Sequence, residues 1–134
     1  MLEKLIDIVV KAGSEILDVY GTAFEVKSKS DESPLTEADL RAHRVIVSGL
    51  TDIDSTIPVI SEESDAPSFD VRERWRRYWL VDPLDGTREF VNRNGEFTVN
   101  IALIEDNEPT LGIVGCPVRG DIYIGDVKKC EAFR

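Results

Sequence analysis

The chain has 134 residues, the length of one domain, and its 42% hydrophobic and 31% charged residues are typical of a globular protein. Its 16 Lys and Arg residues against 26 Asp and Glu residues give a formal net charge of −10. Nucleic-acid polymers and anionic membranes are bound by basic patches, so this charge argues against both as partners. No stretch approaches the ~20 apolar residues of a membrane helix, so we expect no membrane insertion. Two cysteines are too few for a disulfide framework, so we expect reduced thiols and a cytoplasmic location.

The first predicted element is an amphipathic helix. Apolar residues recur at steps of three and four from Leu2 to Tyr20, which is the spacing of one helix face, and Gly21 predicts the end of the helix. A short strand is predicted next, at residues 24–27, because apolar and charged side chains alternate there.

A second helix is predicted after a polar loop at residues 29–34. Thr36 is placed like a helix N-cap, with Asp39 three residues on, and apolar positions continue through Leu50. In one interpretation Asp39 serves only the helix terminus, as part of a capping box. In the other, its carboxylate takes part in chemistry.

The rest of the chain is typical of short strands joined by turns. We predict strands at residues 58–60, 78–81, 97–104, 111–116, 122–124 and 131–133. Turn signals occur at residues 107–109 and 119–121. Because short turns between consecutive strands imply antiparallel pairing, we predict the α+β class, with two helices packed on an antiparallel β-sheet.

The strongest chemical signal follows the predicted strand at 78–81. Asp82 and Asp85, with the carbonyl of Leu84 between them, offer the oxygen ligands that Mg²⁺ prefers. Gly86 allows a sharp turn, and if a helix starts at Gly86-Thr87 its free amides can receive a phosphate oxygen. The alternative is an ordinary Asp-Pro/Asp-Gly turn.

A second acidic point, Glu62-Glu63, ends the predicted strand at 58–60. One of these glutamates can complete a metal shell with Asp82, whereas the alternative is a solvated loop at a strand end. His43 is the only histidine and lies within a predicted helix among apolar neighbours. That position favours a surface or packing role over catalysis.

Four segments together resemble the inositol monophosphatase superfamily of lithium-sensitive, magnesium-dependent phosphatases, and within it the bacterial 3′(2′),5′-bisphosphate nucleotidases. These segments are residues 33–39, 60–63, 78–90 and 94–104. Their order and spacing agree with the family over essentially the whole chain. Residues 33–36 and 88–90 favour the nucleotidase branch over the inositol monophosphatases.

The resemblance implies a set of metal ligands. Glu62, Asp82 and the Leu84 carbonyl would hold one Mg²⁺. Asp82 and Asp85 would hold a second, with Asp82 bridging the two ions. Through these ions the same four residues would belong to the substrate-binding site.

The resemblance also implies how the phosphate and the water are held. Gly86 and Thr87 would bind the scissile phosphate through backbone amides. The Thr87 hydroxyl, paired with Asp39, would orient or deprotonate the attacking water.

The chain departs from the family in one respect. Family members are roughly twice this length, and their second domain supplies a further metal-ligating aspartate in a Trp-Asp motif. Trp75 and Trp79 are followed here by Arg76 and Leu80, so the motif is absent. We therefore expect residues 1–134 to form a single N-terminal domain. Its second metal site would lack a ligand, and its exposed sheet would invite formation of a homo-oligomer.

The function implied by the resemblance is hydrolysis of a small phosphorylated molecule, 3′-phosphoadenosine 5′-phosphate, to AMP and phosphate, a housekeeping step of sulfur assimilation. Two or three Mg²⁺ ions would relieve the repulsion among the carboxylates and let an acidic protein act on an anion. Two alternatives stay open. One is a half-protein with partial metal binding and little or no catalysis. The other is the same chemistry on inositol phosphates or fructose 1,6-bisphosphate.

Overall fold

The computed structural model of the chain describes residues 1–22 and 33–134. The strand predicted at 24–27, and residues 29–32 of the predicted polar loop, lie outside these ranges. Within them, no helix combines the length and the apolar character needed to cross a membrane.

The described residues form two long helices, two short helices and six strands. The helices are α1 (Leu2–Tyr20), α2 (Ser33–Ile53), α3 (Phe69–Arg72) and α4 (Thr87–Val91). The strands are β1 (Val59–Ser61), β2 (Arg77–Asp85), β3 (Thr98–Glu105), β4 (Glu108–Cys116), β5 (Asp121–Asp126) and β6 (Glu131–Phe133).

The strands form one sheet in the order β1-β2-β3-β4-β5-β6. From β2 onward each strand pairs antiparallel with the next, as the short turns predict. β1, however, runs parallel to β2, so the sheet is mixed rather than wholly antiparallel. Parallel pairing is possible because the long connection at residues 62–76 returns the chain to the end of the sheet where β1 begins, so that β2 starts beside the start of β1. The predicted α+β class is confirmed.

The first helix has the predicted bounds, and Gly21 follows it with right-handed dihedral angles (φ −70°). The second helix begins earlier than predicted, at Ser33, so Thr36 lies inside the helix and is not its N-cap. Pro34 fits the first turn of a helix, where its missing N–H is not needed, and this allows the early start. Asp39 therefore lies deeper in α2 than a capping residue, and the capping-box interpretation is wrong.

Helices α1 and α2 pack against each other and against one face of the sheet, α1 over β4 and α2 over β2. The fully buried side chains at this interface include Leu5, Ile16, Ile46, Trp79 and Ile113. The other face of the sheet points away from both helices. On that face Leu80 is 46% exposed and Tyr123 is 41% exposed, with small residues between them. The sheet is thus apolar on both sides, but only one side is covered by α1 and α2.

The close approach of α1 to β4 depends on Gly115. A Cβ atom at this position would collide with Cγ1 of Val9, whereas one at Gly112, on the same strand, would meet nothing within 4 Å.

We expect Gly115→Ala to lower the free energy of unfolding by about 1–3 kcal/mol, the usual cost of overpacking a core. Gly112→Ala is the matched control and should change it by less than about 0.5 kcal/mol. Urea unfolding measures both; equal effects would contradict the proposed contact.

Candidate active site

The parallel pairing of β1 and β2 brings two acidic segments to the same edge of the sheet. Ser61 pairs with Val81, so Glu62, the first residue after β1, lies beside Asp82, the next residue of β2. The Glu62 amide continues the ladder by donating to the Val81 carbonyl at 3.2 Å. The two carboxylates predicted to share a metal ion are therefore neighbours because of strand register.

A β-bulge shapes the next part of the site. The pairing of β2 with β3 follows Asp82↔Asn100 and then shifts before it resumes at Asp85↔Thr98. Between the two aspartates, Pro83 and Leu84 are both buried. Because the bulge buries two consecutive residues, it leaves Asp82 half-buried and Asp85 exposed at the same end of β2.

Gly86 turns the chain from β2 into α4. Its φ of +94° lies in the left-handed region, and a Cβ there would be 3.2 Å from the Cα of Phe97. Thr87 then begins α4, as predicted for a helix starting at this point. The first amides of a helix have no partner within the helix, so those at Gly86-Thr87 are available to an acceptor.

The short helix α4 is anchored by an aromatic cluster. Phe90 is completely buried, with its ring 5.5 Å from that of Tyr20 and 5.4 Å from that of Phe97. Tyr20 is the last residue of α1, so the cluster joins α1, α4 and the start of β3. This packing holds the Gly86-Thr87 turn in place relative to the core.

Asp39, on α2, lies close to the carboxylates of Glu62, Glu63, Asp82 and Asp85, which we call the acidic edge. It is only 9% exposed and lies between the fully buried Ala38 and Ala42 on the same helix. Burial, followed by a hydrogen bond with Glu63 and the negative charges of Glu63, Asp82 and Glu62, raises the pKa of Asp39 to about 8. Its Oδ1 atom is buried and has no hydrogen-bond partner.

Asp82 is the second carboxylate with a displaced pKa. Burial, together with the charges of Glu62 and Asp85, raises its pKa to about 6, although a hydrogen bond from the Leu84 amide opposes the shift. The four predicted carboxylates, at positions 39, 62, 82 and 85, are therefore electrostatic neighbours. They come from α2, from the end of β1 and from the bulge of β2.

Two site residues were missed by the sequence reasoning. Glu63 was not separated from Glu62, yet it is the partner of Asp39. Asn100 lay in a matched segment without a role, and its Nδ2 donates to Asp85 Oδ2 at 3.1 Å, while Thr98 Oγ1 donates to its Oδ1 at 3.2 Å. The sequence did not predict this role, because residues 86–97 separate β2 from β3 and only the folded register Asp82↔Asn100 places Asn100 beside the site.

One predicted pairing is not formed in the structure. Thr87 is exposed, and no hydrogen bond joins its hydroxyl to Asp39 across the described residues. In the same ranges no three acidic, His or Cys side chains already enclose a common point as metal ligands would. The acidic edge is thus a set of neighbouring oxygen donors without a closed three-residue shell.

The donors nevertheless suit a hard divalent cation. Carboxylate and carbonyl oxygens are the ligands that Mg²⁺ prefers. Asp39 Oδ1 is a buried carboxylate oxygen without a partner, and a nearby cation or hydrogen-bond donor would stabilise it. Glu62 and Asp82 also border a groove of about 310 Å³ that runs onto the uncovered face of the sheet past Leu80 and Ala102. The edge can therefore be reached from solvent.

Comparison with known proteins decides the family. The model of the inositol monophosphatase family matches residues 1–132. The chain belongs to this family. It is 54% identical over 125 residues to the 3′(2′),5′-bisphosphate nucleotidase CysQ of Salmonella typhimurium, a match that covers 92% of this chain and 50% of the relative. The CysQ of Escherichia coli K12 is 53% identical with the same coverage. The chain spans about half the length of the curated relatives that it matches.

Solved structures agree with the family fold. The crystal structure of CysQ from Bacteroides thetaiotaomicron superimposes with a TM-score of 0.82 at 44% identity, over 92% of this chain and 45% of that one. SuhB from Bartonella henselae matches at a TM-score of 0.80 but only 23% identity, over 98% and 50%. The second likeness supports the fold alone.

The raised pKa of Asp39 predicts how stability depends on pH without added metal. Its pKa rises from 3.8 to about 8 on folding, so its contribution is complete below about pH 4 and is lost as the pH rises through 8. Asp82 loses its contribution between about pH 4 and 6. Ionisation of either carboxyl therefore destabilises the metal-free fold, and the melting temperature should fall as the pH rises from about 4 to 8.

Thermal melts in EDTA from pH 4.5 to 8.5 test this expectation. Asp39→Asn, which keeps a neutral donor toward Glu63, should flatten the decline in melting temperature. Asp70→Asn removes an exposed acid on α3 and serves as the control, since it should follow the wild-type profile. A wild-type slope in Asp39→Asn would contradict the assignment.

Proposed function

We propose that this chain is the metal- and phosphate-binding domain of a magnesium-dependent phosphomonoesterase that hydrolyses 3′-phosphoadenosine 5′-phosphate to AMP and phosphate. The similarity to CysQ nucleotidases supports the substrate. The observation that carries the proposal is the convergence of Asp39, Glu62, Asp82 and Asp85 at one edge of the sheet. Like charges gathered in this way raise the free energy of the fold, and a bound cation supplies the compensation.

The residues present fit Mg²⁺. Glu62, Asp82 and the Leu84 carbonyl are our proposed ligands of one ion, and Asp82 and Asp85 of a second, in a site of two or three ions. Bound Mg²⁺ would neutralise these carboxylates, lower the pKa of a coordinated water and attract the phosphate oxygens. Asn100 holds Asp85 by a hydrogen bond and so orients a proposed ligand.

The other residues act on the phosphate and the water. Gly86 and Thr87 offer amides at the start of α4 to the phosphate oxygens, in a turn fixed by the Phe90 cluster. With bound cations offsetting the charges of Glu62 and Asp82 that help to raise its pKa, Asp39 would offer its unpartnered Oδ1 to accept a proton from water, directly or through the Thr87 hydroxyl. The water oxygen forms a bond to phosphorus, the bond to the 3′ oxygen breaks, and that oxygen leaves with a proton to give AMP.

We also propose a cytoplasmic location and a single domain over residues 1–134. Cys116 and Cys130 are free thiols, which is typical of a reducing compartment. One core, formed between α1, α2 and the sheet, supports the single domain.

The metal arm of the proposal is tested by substituting the bridging carboxylate. Mg²⁺ should raise the melting temperature of the wild type, by an amount equivalent to about 2.7 kcal/mol when its concentration is a hundred times the dissociation constant. Asp82→Asn should lose this response, and its release of phosphate from 3′-phosphoadenosine 5′-phosphate should fall by more than about a hundredfold. Asp70→Asn should keep both.

Substitution of Leu84 tests whether this residue binds the ion through its backbone carbonyl alone. Its side chain is only 2% exposed, so Leu84→Ala would cost about 2–5 kcal/mol of stability and confuse the result. Leu84→Met keeps the volume and the carbonyl and should keep the Mg²⁺ response. Binding of Mg²⁺ without any phosphate release would favour the non-catalytic half-protein, and release from inositol phosphates or fructose 1,6-bisphosphate alone would favour that substrate class.

We further propose that the uncovered face of the sheet supports self-association. Leu80, Ala102, Gly112 and Gly125 form one row across four strands, and Tyr123 lies in the adjoining row. Tyr123→Glu should shift sedimentation velocity profiles toward the monomer at high protein concentration. Val127→Glu introduces the same charge at an exposed turn position and is the control. A monomeric wild type at all concentrations would refute the self-association.

A further inference from the structure

The sole histidine of the chain lies against the acidic edge. His43 follows Asp39 by four residues on α2, so both side chains point to the same side of the helix. Its Nδ1 atom is 2.9 Å from the Oγ atom of Ser61, the last residue of β1. This contact differs from the surface or packing role that its sequence position favoured.

Ser61 is the centre of a small hydrogen-bond network. Only 2% of this residue is exposed, and its Oγ accepts the backbone N–H of Glu63 at 3.3 Å. Its carbonyl accepts the N–H of Ser64 at 3.2 Å. Ser61 thus holds both Glu63 and Ser64 by hydrogen bonds in the turn that contains Glu62.

The hydroxyl proton of Ser61 needs an acceptor, because a buried O–H without one is costly. His43 Nδ1 is the acceptor that the described contacts provide. We therefore assign the Nε2–H tautomer to His43, with the Ser61 hydroxyl donating to Nδ1.

From these contacts we infer that His43 is a positioning residue, which fixes the Glu62-Glu63 turn relative to α2 through Ser61 and so sets the affinity of the acidic edge for a divalent cation. Helix α2 contacts the turn at two points. His43 forms a hydrogen bond with Ser61, and Asp39 interacts with the carboxyl group of Glu63. Asp39 interacts only with the side chain of Glu63, whereas His43 contacts Ser61, the residue that accepts the Glu63 amide. The inference rests on the proposed function, since it assumes that Glu62 is a metal ligand.

The first test measures Mn²⁺ binding by electron paramagnetic resonance, with Mn²⁺ as a hard octahedral probe. His43→Leu should weaken binding about tenfold, the lower end of what lost support of a metal ligand costs. His43→Asn keeps an acceptor atom where Nδ1 stands and should stay within about twofold of the wild type. Ser48→Ala, at an exposed position of the same helix, is the control and should not change binding.

A double-mutant cycle separates positioning from simple packing. Ser61→Ala should weaken Mn²⁺ binding at least as much as His43→Leu, because it also removes the acceptor of the Glu63 amide. The double variant should bind no more weakly than Ser61→Ala alone, because both substitutions break the same chain of bonds. Additive losses, or a loss of less than about twofold in His43→Leu, would overturn the inference. Wild type that fails to bind Mn²⁺ would instead overturn the proposed function on which the inference rests.

A second measurement needs no metal. The chain has one histidine, so its ring ¹⁵N resonances are assigned without ambiguity. They should show a protonated Nε2 and a hydrogen-bonded, unprotonated Nδ1 in the wild type, and the Nδ1 resonance should move in Ser61→Ala while the circular dichroism spectrum stays native. Ring resonances unchanged by Ser61→Ala would refute the Ser61–His43 bond.

Discussion

The structure depends on one electrostatic conflict: a packed core holds several carboxylates together although they repel one another. Asp39 cannot turn away, because Ala38 and Ala42 on either side of it are fully buried. The backbones of Glu62 and Asp82 cannot separate, because the register Ser61↔Val81 places these two residues side by side. Burial first, and the neighbouring negative charges after it, raise the pKa values of Asp39 and Asp82.

The rigid parts around the acidic edge explain why the conflict persists. The bulge at Asp82–Asp85 is closed on the inside by buried Pro83 and Leu84, and Gly86 turns directly against Phe97. An aromatic cluster then ties α4 to the end of α1. Each of these features lies next to the site and restricts the backbone, so the carboxylates stay close to one another despite their repulsion.

Local patterns allowed much of this to be predicted, and long-range pairing accounts for what was missed. The bounds of α1 and the turn at Gly86-Thr87 follow from periodicity and from residue types that act over a few positions. The parallel β1–β2 pair does not, since its partners are joined by a long connection with no pattern of its own. The start of α2 was wrong because Thr36 is a good N-cap in isolation, while Pro34 tolerates an earlier start. Glu63 and His43 take their roles from a β1 turn that only the folded chain brings to α2.

Under the proposed function, the negative net charge of the chain means that a bound cation is needed before an anionic substrate can bind. Two basic side chains of the described helices and strands are engaged elsewhere: Arg41 pairs with Glu15 on α1, and Arg77 pairs with Glu105 on β3. Neither lies free to draw a phosphate toward Asp82. An anionic substrate approaching a chain of net charge −10 therefore meets repulsion at this edge unless the carboxylates are first neutralised. Under the proposed function, the carboxylates that repel the substrate in the metal-free chain would be the ligands that make its binding favourable, so ion binding and substrate binding at this site would be thermodynamically linked.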